Sequence, residues 1–456
     1  MKNAKKLLIC AGIVASQLPI NVFADSTEST EPTTESSIEQ VSNAEDKEKS
    51  ITTLSTIANI PDPVFYNVLD NLLKQSLNYQ VTIEDMATLK ELNADAIWPN
   101  ARYISSVEGI ENAINLESLI LNNQKQLSDL SPISKLVKLK RLLLQWTGVN
   151  SYEDLANLTN IEELQIGGDY VSDLTPLYGL KNLKKLYHDS GSWAELGHTP
   201  VKISDLSVFL GVTNLDTLSV TFDDVRDLTP LAGNNSLEVL DLRNNLIEDV
   251  STLLEMPKLY YVDLSNNLIS DLNILESNRG LGYLAAHNNK IQDISKLKEM
   301  FNSMENRFTN SMLDLRNQYI QASDMRVKKG SSFTSINPCI DLDGQSMPIT
   351  SLKIDSIDSE TQTIEKSGLY SFNVVYETVN SNGVPLKYSA EVTRNIEVYD
   401  DTVDLAKVNV HDSTIYVGDK WQAEDNFDSA LDKEGQAVDY SALTVDASQA
   451  DTTKAS

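Results

Sequence analysis

The sequence predicts a solenoid of short parallel strands with an irregular or 3-10 convex side, and three observations predict it. Eight copies of the phrase L-x-x-L-x-L open at Leu116, Leu139, Ile161, Leu183, Leu215, Leu237, Leu259 and Leu281, each followed by a polar bend and then I/L/V-x-D-I/L/V. The openings lie 23, 22, 22, 32, 22, 22 and 22 residues apart, which is the period of leucine-rich repeats. Helical periodicity precedes the first copy, and strand alternation replaces the pattern after Met300. A stack of short parallel strands forms a broad, rigid face, and such faces suit binding rather than chemistry.

Taken in order, residues 1–24 read as a secretory signal peptide. Lys2, Lys5 and Lys6 precede an apolar run from Leu7 into Val22, and Val22-Phe23-Ala24 offers a small-residue cleavage site before Asp25. No stop-transfer pattern follows, so no membrane span is expected in the mature chain. The net charge is -29, and removing residues 1–24, with three lysines and no acids, leaves -32. Phosphate backbones would be repelled, which excludes nucleic acid as a partner. Residues 25–58 are rich in Ser, Thr and Glu and too poor in apolar groups to fold, which reads as a disordered leader.

Residues 59–115 read as a helical N-terminal cap, because a solenoid exposes an apolar end that something must cover. Phe65, Val68, Leu69, Leu72 and Leu73 share one helical face. Thr82-Ile83-Glu84-Asp85 has capping-box form, followed by Ile83, Met86 and Leu89 at three-residue spacing. Residues 92–115 read as a degenerate first turn with Ile104, Val107 and Ile110 inward.

The eight repeats occupy 116–300. The two-residue period of a strand turns positions 4 and 6 of each repeat inward and positions 3, 5 and 7 outward. Position 9 is Asn245, Asn267 and Asn289 in the last three repeats, where an Asn ladder can bond bend backbone that has no strand partner. Earlier repeats carry Gln124, Thr147, Asp169, Gly191 and Asp223 there, so a less regular N-terminal half is expected. Pro132, Pro176 and Pro230 stop strand pairing on the convex side. Repeat four is ten residues longer, with Trp193, His198 and Pro200 in the excess.

Residues 301–402 read as an Ig-like β-sandwich covering the far end. Tyr370, Phe372, Val374 and Tyr376 alternate, as do Tyr388, Ala390 and Val392, and then Ile396 and Val398; Asn382-Gly383 supplies a hairpin turn. Residues 403–456 begin a further module with Ile415, Val417 and Trp421. It stops on Asp451-Thr452-Thr453-Lys454-Ala455-Ser456, so it is expected to lack its closing strands.

Several phrases resemble the internalin family of Gram-positive bacteria. They include Asn267-Leu268-Ile269-Ser270-Asp271-Leu272, Asp173-Leu174-Thr175-Pro176-Leu177, and Ile60-Pro61-Asp62 with Val81-Thr82 and Ser106-Val107-Glu108-Gly109-Ile110. Arg316-Asn317-Gln318-Tyr319-Ile320 resembles that family's junction into its Ig-like domain. Asp412-Ser413-Thr414-Ile415-Tyr416-Val417-Gly418-Asp419-Lys420-Trp421 resembles its downstream bacterial Ig-like repeats. The resemblance implies a surface or secreted protein that holds a host protein on its concave face. With no L-P-x-T-G sorting motif, a released protein is expected rather than a wall-linked one.

Catalytic signatures are missing from the sequence. There is no H-E-x-x-H, G-x-S-x-G or G-x-x-x-x-G-K-[ST], and the four histidines have no metal-ligand spacing, so neither an enzyme nor a cofactor or metal is expected. His188-Asp189-Ser190 cannot form a relay, since strand neighbours point to opposite faces. Asp341-Leu342-Asp343-Gly344 reads as a turn, and Cys339 as a buried free thiol in a monomer. The outward positions carry the functional signal. Arg141, Leu143, Trp146, Lys185, Tyr187, Phe222, Arg243, Tyr261, Asp263, Tyr283 and His287 are the candidate contacts, being rich in the Tyr, Trp and Arg of interface hot spots. A protein on a host-cell surface is the expected partner; a surface or cell-wall glycan stacking on the same aromatics is the alternative.

Overall fold

The computed structural model describes residues 56–73, 80–95, 103–191, 201–306, 311–355, 357–358, 363–400, 406–411, 422–432 and 436–445. The signal and most of the leader, the repeat-four excess with Trp193, His198 and Pro200, and the phrase 412–421 with Ile415, Val417 and Trp421 lie outside the described residues.

The cap is two helices, α1 (Pro63–Leu73) and α2 (Ile83–Thr88). Phe65, Val68 and Leu69 of α1 are buried and Leu73 partly so, but Leu72, expected on the same face, is exposed. The capping box on Thr82 forms, with Asp85 answering the Thr82 backbone N–H at 2.9 Å. Asp62 stitches the cap to the first turn. Its Oδ1 accepts the N–H groups of Val64 and Phe65, and its Oδ2 those of Ser105 and Ser106. Ile104, Val107 and Ile110 are fully buried behind it.

Ten strands then stack in parallel. They are β1 (Glu91–Asn93), β2 (Ser118–Ile120), β3 (Arg141–Leu143), β4 (Glu163–Ile166), β5 (Lys185–Asp189), β6 (Thr217–Thr221), β7 (Val239–Asp241), β8 (Tyr261–Asp263), β9 (Tyr283–Ala285) and β10 (Met312–Gln321). The register never slips, so Leu119, Leu142, Leu164, Leu186, Leu218, Leu240, Val262, Leu284 and Leu313 form one fully buried row. The solenoid therefore has one strand before the eight sequence copies and one after. At ~4.8 Å per strand the parallel face is ~43 Å long.

On the convex side each repeat makes a 3-10 turn, and the Asp of I-x-D-L starts it. Asp129, Asp173, Asp205, Asp227, Asp249, Asp271 and Asp293 each accept the backbone N–H two residues on, at 2.6–2.9 Å, and the Ser151 hydroxyl accepts that of Glu153 at 3.2 Å in repeat two. This local side-chain bond offers the backbone an alternative to strand pairing.

β10 belongs to two structures. Its first residues pair with β9, while the whole strand pairs parallel with β17 (Pro385–Tyr399), with a bulge between Leu315 and Gln318. Strands β11 (Met325–Lys328), β12 (Ser331–Ser332), β13 (Ile349–Ile354), β14 (Ile357–Asp358), β15 (Thr363–Ile364) and β16 (Gly368–Val379) complete this Ig-like module. The concave sheet runs on unbroken through β10, β17, β16, β13 and β14. The repeat geometry therefore persists past Met300, where the sequence pattern stops. The β16–β17 hairpin turns through Gly383 and closes on helix α3 (Lys298–Ser303), where the Asn380 side-chain amide donates to the Phe301 and Met304 carbonyls. Tyr370, Phe372, Val374, Tyr388, Ala390, Val392 and Ile396 are buried as alternation requires. Cys339 is a buried free thiol, and Asp341–Gly344 is a turn. Strands β18 (Lys407–Val410), β19 (Phe427–Leu431) and β20 (Ala437–Val438) form a separate antiparallel sheet.

Candidate functional site

The concave face carries three rows. Position 3 runs Ser118, Arg141, Glu163, Lys185, Thr217, Val239, Tyr261, Tyr283, Met312, and position 5 runs Ile120, Leu143, Gln165, Tyr187, Ser219, Asp241, Asp263, Ala285, Asp314. Position 7, two residues further, brings Arg243, His287 and Arg316 beside the end of position 5.

Within these rows the candidates differ in what they can touch. Arg141 is part-exposed and paired with Glu163 at 3.1 Å; Lys185 is exposed. Tyr187 is half-covered, and burial pushes its hydroxyl up to about 12. Tyr261 and Tyr283 stand in register with rings stacked, centroids 4.5 Å apart and 4° from parallel. Burial raises both phenols, that of Tyr283 to about 12, so both remain neutral hydrogen-bond donors near neutral pH. Arg243 grips Asp241 with two bonds of 2.8 Å and lies 3.5 Å from Asp263. Arg316 repeats the fork on Asp314. Burial holds the part-exposed His287 below the usual imidazole value despite Asp314.

Two candidates are not contact surface. Leu143 is 6% exposed and Asp263 only 4%, because neighbours in the row close over position 5. Asp263 instead accepts the Ser265 N–H, and burial beside Asp241 pushes its carboxyl up.

Trp146 and Phe222 are not on the strands. They occupy position 8, at the bend, with φ of +59° and +62°. Asn123, Gly168, Asn244, Asn266, Asn288 and Asn317 hold this left-handed conformation in other repeats. Asn and Gly tolerate it; a bulky side chain there is a genuine outlier. The Trp146 ring lies over Gly168, where an added Cβ would come within 2.0 Å of it. Phe222 leans beside Gly191 and is 42% exposed. Position parity could not reveal this, although two aromatics in an Asn/Gly column were visible.

Behind the bends, Asn245, Asn267 and Asn289 form the expected ladder. Each accepts one N–H from the preceding repeat and donates to two or more carbonyls. Gln318 closes it at one end and Gln124 opens it at the other. The N-terminal half keeps its strand register on the buried position-4 row, while its bends are less regular, as expected, with only part of the column filled by polar groups. Asp223 accepts the Ile203 N–H at 2.9 Å and holds His188 Nδ1 at 2.8 Å; Asp169 accepts the Val171 N–H and the Tyr152 hydroxyl. These four residues were not among the sequence candidates as a group. His188 is 1% exposed, so its Asp223 pair is sealed from any substrate. No group of His, Cys, Asp and Glu suited to a metal occurs among the described residues, and no described helix is long and apolar enough to cross a membrane.

Comparison with known proteins adds the lineage. A family model for paired leucine-rich repeats matches residues 235–277, and one for bacterial Ig-like domains, group 3, matches 408–455. A search of curated proteins returns no match. Among solved structures, the chain is similar to internalin C2 of Listeria monocytogenes at 30% identity, over 50% of this chain and 93% of that one, TM-score 0.43. It is similar to a second internalin of that organism, inlF, at 25% identity, over 60% and 87%, TM-score 0.40. It also resembles the Listeria internalin-like protein lmo2027 at 16% identity, over 74% and 96%, TM-score 0.43. With leucine-rich repeats and a bacterial Ig-like domain both matched on one chain, this is an internalin-like protein of repeats and Ig-like modules.

Proposed function

We propose that this is a secreted or surface protein whose concave face binds a protein, on a host-cell surface, without catalysis. The alignment of Arg141, Lys185, Tyr187, Arg243, Tyr261, Tyr283 and His287 on one rigid sheet carries the reading, with Trp146 and Phe222 at its rim. Arginines held by bidentate partners and rigid aromatics lose little entropy on binding, which is why they anchor interfaces. A face ~43 Å long readily accommodates the ~800 Å² per partner of a stable complex. Sugar stacking needs open ring faces, and the inner faces of Tyr261 and Tyr283 are already turned on each other. That favours protein over glycan.

The test uses the full chain cross-linked to intact host cells. One cell-surface protein should be captured, Tyr261→Ala with Tyr283→Ala should weaken its binding by about 2 kcal/mol or more, and Leu254→Ser on the exposed convex side should not. Equal binding by both variants would remove the concave face from the account. Loss of capture after oxidising cell-surface sugars, with the protein intact, would favour the glycan.

A further inference from the structure

Repeats 3–5 place a cluster of ionisable groups where repeats 6–8 place amides. His188, inward on β5, is held through Nδ1 by Asp223 from the bend after β6, and its buried Nε2 has no partner. Asp169, from the bend after β4, faces the same ring, and Asp189 is its neighbour on β5. Tyr152, fully buried at the start of a convex 3-10 turn, donates to Asp169. The two carboxylates also hold backbone. Asp223 accepts the Ile203 N–H at 2.9 Å, and Asp169 Oδ1 accepts the Val171 N–H at 3.0 Å. Both follow a position-8 bend: Phe222 precedes Asp223, and Gly168, under the Trp146 ring, precedes Asp169.

We infer that His188, Asp223, Asp169 and Tyr152 form a pH-sensitive latch behind the Trp146–Phe222 rim, closed while the imidazole carries its proton and loosened when that proton leaves. With the proton, one buried cation stands among the carboxylates. Without it, buried negative charge is left with hydrogen bonds alone, which is costly away from water. Burial disfavours the charged imidazole, but Asp223, with Asp169 and Asp189, outweighs it and holds His188 above its ordinary value. Burial raises the carboxyls of Asp169 and Asp189 as well. The signs agree. A raised imidazole contributes stability fully present below its unfolded value of ~6.5 and lost as pH rises through the higher folded value. A raised carboxyl likewise favours the fold more as pH falls. Repeats 3–5 are therefore tightest in mild acid and loosen toward alkaline pH, while the amides of Asn245, Asn267 and Asn289 do not titrate.

Amide hydrogen exchange on the full chain, corrected for intrinsic rates, tests this between pH 6 and 8.5. Protection of Ile203 and Val220 should fall by about tenfold, and protection of Ile247 and Ile269, which bond the Asn ladder, should not. Asp223→Asn converts the fifth repeat to the chemistry of the sixth and should abolish the difference. If that variant does not fold, the titration of the His188 ring in the unaltered protein decides. A midpoint above 6.5 supports the latch, and one at or below 6.5 overturns it. Equal loss of protection in both halves, or pH dependence that survives Asp223→Asn, overturns it too.

Discussion

Repeats 6–9 and repeats 2–5 share one sheet and one register, yet satisfy their bends differently. In the C-terminal set every position 9 is an amide, and each amide both accepts and donates across the repeat boundary. In the N-terminal set, Thr147 has a buried hydroxyl without a partner, Asp169 and Asp223 can only accept while ionised, and Gly191 has no side chain. The position-8 column diverges in the same place, Asn throughout repeats 6–9 but Trp146 and Phe222 in repeats 2 and 5. The strand register tolerates all of this, because the apolar row at position 4 is continuous and buried from end to end. Burial sets the scaffold, and the bend chemistry is free to vary on it.

The sharpest way to separate the halves is Asn267→Ala. The Ile247 N–H loses its acceptor at 3.0 Å, and the Leu242 and Leu264 carbonyls lose donors at 2.9 Å, all in buried surroundings. A cost of about 1–3 kcal/mol in unfolding free energy follows. Chemical denaturation measures it, and an unchanged midpoint would mean that the ladder is decorative.

A smaller effect of opposite sign belongs to the rim. Asn tolerates the left-handed bend far better than an aromatic. Phe222→Asn should therefore stabilise the chain by about 0.5–1 kcal/mol while weakening partner binding. Trp146→Asn is expected to show a weaker stability gain, since its ring also packs on Gly168. A gain in stability with binding intact would show that the strained aromatics are not part of the interface.

Much of this was legible in the sequence, and the omissions have physical reasons. Eight leucine phrases gave the strands and their core row, and the column Asn245, Asn267, Asn289 gave the ladder. The ninth step was hidden because Gln318 replaces Asn and the spacing from Asn289 stretches to 29, although Leu313-Asp314-Leu315-Arg316-Asn317 repeats Leu240-Asp241-Leu242-Arg243-Asn244. Strand parity placed Leu143 and Asp263 outward but could not say that neighbours cover them. The His188–Asp223 pair spans 35 residues and an insertion, so no local motif announces it. The hairpin at Asn382-Gly383 was readable because a tight turn is a local matter, and its docking on α3 through Asn380 was not.

The smallest effect is also the most diagnostic of the N-terminal set. Thr147 stands at the same position as Asn267 and is 2% exposed, but its Oγ1 makes no hydrogen bond. A buried hydroxyl without a partner carries a desolvation cost that nothing offsets. Thr147→Val keeps the shape and removes the hydroxyl, so it should be neutral or stabilising by up to about 1 kcal/mol. The same column would then hold one residue whose polar group is essential and another whose polar group is dispensable. A loss above ~1 kcal/mol in Thr147→Val would show that the hydroxyl has a partner, such as an ordered water, and that the N-terminal bends are as fully bonded as the C-terminal ones.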